Sequence, residues 1–157
     1  MKQYNRILFV AESGTCRAPM AAGILSEYTL KHPLEIECRG LVVLFPEPLN
    51  QKAEAVMISN GITMEGFTST QLSEEDFTED TLVITMERSQ LEKILEKYEN
   101  VDPGNIFVLT ELVGEELEIL DPYGGTLQSY GLCYEMLRKT IQKLAALLNE
   151  NEDTKQE

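Results

Sequence analysis

Apolar positions fall into short runs separated by longer, mixed segments. Ile7–Val10, Glu35–Arg39, Leu82–Thr85 and Ile106–Leu109 read as strands, and the unbroken Ile7-Leu8-Phe9-Val10 suits one buried on both faces. Between and after them, Met20–Leu30, Lys52–Asn60, Gln90–Tyr98 and Tyr130–Leu148 carry helical patterning. This alternation predicts an α/β fold, a parallel sheet with helices on both faces. Ligands of such sheets sit beyond the carboxyl ends of the strands, where the loop after the first strand lies.

That loop is the informative segment. Residues 10–19, Val-Ala-Glu-Ser-Gly-Thr-Cys-Arg-Ala-Pro, run from the first strand into a helix start. A strand, a tight loop and a helix N-terminus together make an anion site, because unpaired backbone N–H groups and the helix dipole both favour negative charge. Arg17 adds a fork able to grip two phosphate oxygens at once. The candidate phosphate-binding residues are Glu12, Ser13, Gly14, Thr15, Cys16 and Arg17. Asp121-Pro122-Tyr123-Gly124-Gly125, far along the chain, is a second turn-forming motif that follows the last strand and can reach the same end of the sheet.

The loop resembles that of the low-molecular-weight protein tyrosine phosphatases, Val-Cys-x-Gly-Asn-x-Cys-Arg-Ser-Pro. Val10, Cys16, Arg17 and Pro19 agree with it, while Ala11, Ser13, Gly14 and Ala18 stand in place of cysteine, glycine, asparagine and serine. The motif at Asp121 is similar to the family's Asp-Pro-aromatic loop. The resemblance implies a three-layer, flavodoxin-like fold with a four-stranded parallel sheet, as one domain over 1–148 with a flexible acidic tail at 149–157. It also assigns the nucleophile position to Ala11, phosphate binding to Arg17, the general acid to Asp121, and the substrate entrance to Tyr123, with Tyr130 a further candidate. Thr15, directly before the second cysteine, resembles the branch of bacterial protein arginine phosphatases, which leaves phosphotyrosine and phosphoarginine both open.

The chemistry of that family needs a thiolate, and the methyl group of Ala11 has no electron pair to donate. Cys16 adjoins Arg17 where the pattern needs five residues between nucleophile and arginine, and Ser13 has no base near it in sequence. The chain as written is therefore expected to be inactive by this route. Three functions follow: a non-catalytic phosphatase homologue that binds phosphate or a phosphorylated protein side chain; an active cysteine-dependent phosphatase carrying a Cys-to-Ala change at position 11; and an interaction module without an anion site. The last is marked by Arg17 pairing with a carboxylate such as Glu12.

Composition narrows the partners. The chain has 157 residues, enough for about one domain, and a net charge of −14, which disfavours nucleic acid and anionic membrane. Three cysteines, Cys16, Cys38 and Cys133, without C-x-x-C spacing, and a single histidine, His32, indicate neither a disulfide framework nor a metal site. No cofactor is implied. A cytoplasmic protein, monomeric or weakly dimeric, is expected.

Overall fold

Side chains alternate strictly across the first strand, and this alternation divides the molecule into two cores. A computed structural model describes residues 1–156, with side chains through Glu150. In β1 (Arg6–Ala11), Ile7, Phe9 and Ala11 enter the larger core, while Leu8 and Val10 enter the smaller one. Strand β2 (Glu35–Gly40) and strand β3 (Thr81–Thr85) flank β1, and β4 (Ile106–Val108) adds to β3. The order is β2-β1-β3-β4 and every pairing is parallel, with Arg6 opposite both Glu35 and Thr81. The expected four-stranded α/β architecture is thus present.

Helices α1 (Arg17–Ser26), α2 (Gln51–Ser59) and α5 (Leu127–Gln156) pack together over the larger core, whereas α3 (Arg88–Lys97) covers the smaller one. A single turn, α4 (Leu109–Leu112), follows β4 directly. Helix α1 begins at Arg17, ahead of the Pro19 start read from the sequence. Pro19 is its third residue, within the first turn whose N–H groups have no intrahelical partner, so the missing donor costs nothing there. Asn50 caps α2, its side chain accepting from Lys52 N and Ala53 N at 2.9 and 3.1 Å. Of the tail expected at 149–157, residue 157 and the side chains from 151 onward lie outside the described residues.

Beside β1 and β2, Asp76 is 7% exposed and is held by Arg6 and Arg39 at 3.1 and 3.3 Å. Glu37 joins both arginines, and this network pulls its carboxyl below the usual carboxylate range. Among the described residues, no helix is long and apolar enough to cross a membrane, and no acid, histidine or cysteine cluster has metal-binding geometry.

Candidate active site

Strand β1 ends on Ala11, 3% exposed, and the chain then turns through Glu12–Cys16 before entering α1. Gly14 occupies the left-handed region at φ +71°, and a Cβ placed on it would lie 2.8 Å from the Gly40 nitrogen. Conversely, a Cβ on Gly40 would lie 2.6 Å from the Ser13 carbonyl oxygen. Two glycines therefore let the loop press onto the end of β2, an approach that any side chain would block. Three of the loop's carbonyl oxygens are then fastened outward. Ala11 O accepts from Leu41 N at 3.0 Å, Glu12 O from Val42 N at 3.1 Å, and Thr15 O from Asn50 N at 2.9 Å.

Helix α1 starts at this loop without a side-chain cap and without an acidic residue in its first turn. Its N-terminal donors and positive dipole end are left for whatever enters the loop. Arg17, the first helical residue, is 2% exposed. Its Nη1 donates to Glu87 Oε2 at 2.7 Å and to the Ile119 carbonyl at 2.8 Å, while Nη2 lies 3.6 Å from Asp121 Oδ2. Arg17 therefore pairs with Glu87 and Asp121 rather than with Glu12, which is exposed.

The partners of Arg17 are themselves positioned. Glu87 follows β3, and Gln90, 1% exposed, accepts from its backbone N at 3.0 Å and donates to its carboxylate at 3.2 Å. Asp121 accepts from Tyr123 N at 3.0 Å, the turn geometry expected of Asp-Pro-Tyr. The segment is tied to the body at both ends, by Glu118 to Arg88 N and by Lys52 Nζ to Gly125 O at 2.5 Å. Tyr123 is 83% exposed, whereas Tyr130 is 2% exposed and its hydroxyl accepts from Asn50 Nδ2 at 3.3 Å.

None of the thiols here is poised to ionise. Burial, with Cys133 and Asp121 adding to it against the pull of Arg17, pushes Cys16 up to about 12, and burial pushes Cys133 up to about 11. Ser13 and Thr15 hydroxyls lie 2.8 Å apart, and His32 reaches Asn5 beside the opposite end of β1, about 20 Å away at ~3.3 Å per residue, so Ser13 has no histidine base.

The structure thus gathers Ala11, the 12–16 loop, Arg17 and Asp121 at one end of the sheet, with Tyr123 at the rim. Sequence reasoning missed Glu87, the Ile119 carbonyl and Cys133. Glu87 was open to discovery as the acidic residue just past the carboxyl end of a buried strand, where ligands of parallel sheets sit.

Comparison with known proteins agrees with this fold. Residues 6–154 match the family described as low molecular weight phosphotyrosine protein phosphatase, and the chain belongs to that family. A curated relative, the low molecular weight protein-tyrosine-phosphatase PtpB of Staphylococcus haemolyticus, is 32% identical over 88% of this chain and 96% of its own length. Wzb of Escherichia coli, with the same description, is 28% identical over 93% of this chain and 97% of its own. Among solved structures, the YwlE arginine phosphatase from Geobacillus stearothermophilus superposes with a TM-score of 0.87 at 29% identity, covering 98% of this chain and 97% of the other. The low molecular weight protein tyrosine phosphatase from T. tengcongensis gives 0.82 at 32% identity over 88% and 96%.

Proposed function

We propose that this protein is a non-catalytic member of its family, which binds phosphate or a phosphorylated protein side chain without turning it over. The observation that carries the reading is the pairing of an uncapped α1 and Arg17 with alanine at position 11. Donors for the anion are retained; the electron pair that would attack phosphorus is not. With Cys16 at about 12 and Ser13 lacking a base, neither neighbour takes over that role. Asp121 remains beside Arg17, its Oδ2 3.6 Å from Nη2.

Arg17 approaches Asp121 at 3.6 Å, well beyond its 2.7 Å contact with Glu87, and Asp121 is 42% exposed. An arriving phosphate therefore competes mainly for the Nη2 edge, where the existing contact is longest. The surrounding carboxylates, Glu12, Glu87 and Asp121, favour a ligand whose remainder is cationic. The Geobacillus relative is described as an arginine phosphatase, and the acidic mouth supports phosphoarginine over phosphotyrosine for this chain.

A second reading draws on the same arginine. Because Arg17 is paired with carboxylates of its own chain, the fold serves equally as an interaction module whose anion site is internally closed.

Thermal-shift titration with phosphate, phosphotyrosine and a non-hydrolysable phosphoarginine analogue separates the two. Ligand at a hundred times its dissociation constant stabilises the native state by ~2.7 kcal/mol, which for a chain of this size raises Tm by about 5–11 °C. The rise should vanish in Arg17→Lys, which keeps charge but loses the fork, and Ala11→Cys should gain phosphatase turnover. Absence of any shift in the native protein would reject the binding reading and leave the interaction module.

A further inference from the structure

Alongside the site, the segment after α4 and the start of α5 leave an open groove of about 560 Å³. Its walls are Leu117, Leu120, Leu132 and Met136, and its rim carries Glu116 and Glu118. Leu117 is 75% exposed, Leu120 76% and Leu132 66%. One exposed leucine is ordinary, but three bordering a single concave surface form the kind of apolar patch that marks an interaction site. The volume falls within the roughly 300–1,000 Å³ typical of ligand-holding clefts.

Charge selects the occupant. Among the described residues, the ionisable side chains lining the groove besides Cys133 are carboxylates, with no lysine or arginine among them. Of the cations nearby, Arg88 is held by Glu111 at 2.6 Å, Arg138 by Glu135 at 3.0 Å and Lys143 by Glu115 at 3.0 Å, while Lys139 lies about one turn past Met136 and outside the lining. A second copy of this chain, at −14, would bring like charge to an acidic rim. The C-terminal part of α5 does not reach back either. Asn149 accepts from Lys31 N at 2.9 Å, about 25 Å along the helix from Leu132 at ~1.5 Å per residue.

We propose that this groove docks a segment of a partner polypeptide whose apolar side chains alternate with lysine or arginine. Leucine-sized groups cover Leu117, Leu120 and Leu132, and the basic groups between them face Glu116 and Glu118. The docking residues are not themselves contacts of Arg17, although Leu120 stands between Ile119 and Asp121, which are.

Fluorescence anisotropy on the full chain tests it, using a labelled short peptide of alternating leucine and arginine and a counterpart with glutamate for arginine. The basic peptide should bind and the acidic one should not. Leu117→Ser with Leu132→Ser should weaken binding about ten-fold or more. Glu116→Gln should weaken it several-fold and reduce its salt dependence, whereas Glu54→Gln, on α2 elsewhere, should leave it unchanged. All the substituted side chains are exposed, and unchanged circular dichroism and Tm establish that the variants fold. Failure of the basic peptide to bind overturns the proposal. So does binding that survives the leucine substitutions, which would show attraction to net charge alone. A dimer in sedimentation that the leucine substitutions dissolve would assign the groove to a second copy and likewise overturn it.

Discussion

Substituting Gly14 by alanine tests whether the loop owes its shape to backbone contact with β2. Two costs add at this position. A left-handed φ of +71° costs an L-residue about 1–2 kcal/mol. The new Cβ would also stand 2.8 Å from the Gly40 nitrogen and 3.0 Å from the Arg39 carbonyl carbon, atoms that yield only if backbone moves, which costs about 1–3 kcal/mol. Alanine's smaller unfolded-state entropy returns roughly 0.4–1 kcal/mol. The net loss is about 1–5 kcal/mol, a fall in Tm of about 2–20 °C. Gly61→Ala isolates the first cost, because Gly61 has φ +80° but nothing within 4 Å of the added carbon. Urea midpoints for the two variants should therefore differ by about 1–3 kcal/mol once multiplied by m. Gly14→Ala combined with Gly40→Ala should lose less than the sum of the single variants, since one displacement of the loop relieves both clashes. Equal losses for Gly14→Ala and Gly61→Ala would refute the interlock.

Other outcomes follow from groups already described. Asp76→Asn removes one of the two carboxylates shared by Arg6 and Arg39 and should cost about 1–3 kcal/mol in urea unfolding, because two largely buried guanidinium groups are left with Glu37 alone. Glu87→Gln should cost only about 1–2 kcal/mol, since Glu87 is 32% exposed and Ile119 O and Asp121 stay with Arg17; phosphate titration should meanwhile show binding about three- to ten-fold tighter as one competing carboxylate goes. The thiols at Cys16 and Cys133 are raised from 9.0 to about 12 and 11, so their contribution to stability is complete below pH 9 and is lost as pH rises toward those values. The unfolded chain deprotonates first, and urea unfolding from pH 8 to 11 should show stability falling by at most about 1.4 kcal/mol per pH unit per thiol above pH 9. Alkylation of both thiols in the folded protein should correspondingly be slow at pH 8, and rapid labelling would contradict their burial.

The fold was legible because the information lay in local periodicity. Each of the four apolar runs became a strand, and the strand–helix alternation dictated parallel pairing. The loop and Asp121 were legible as motifs, and they converge on Arg17. What stayed hidden depended on long-range register. Glu87 lies 70 positions from Arg17, and although its place just past β3 puts it at the ligand end of the sheet, its pairing with Arg17 emerges only when β3 is laid beside β1. Cys133 reaches the neighbourhood of Cys16 only through the packing of α5 on α1. The exposed leucines of the 117–132 region likewise read as ordinary apolar positions, because exposure is a property of what fails to cover them.

Asn50 joins three parts of the molecule with one residue. Its N–H is donated to the loop at Thr15, its side-chain oxygen caps α2, and its side-chain amide reaches Tyr130 on α5. Its amide proton is therefore shielded only while the loop keeps its shape, which makes it a built-in reporter. The exchange rate or NMR shift of that one proton registers any change in the shape of the loop, whatever enters it.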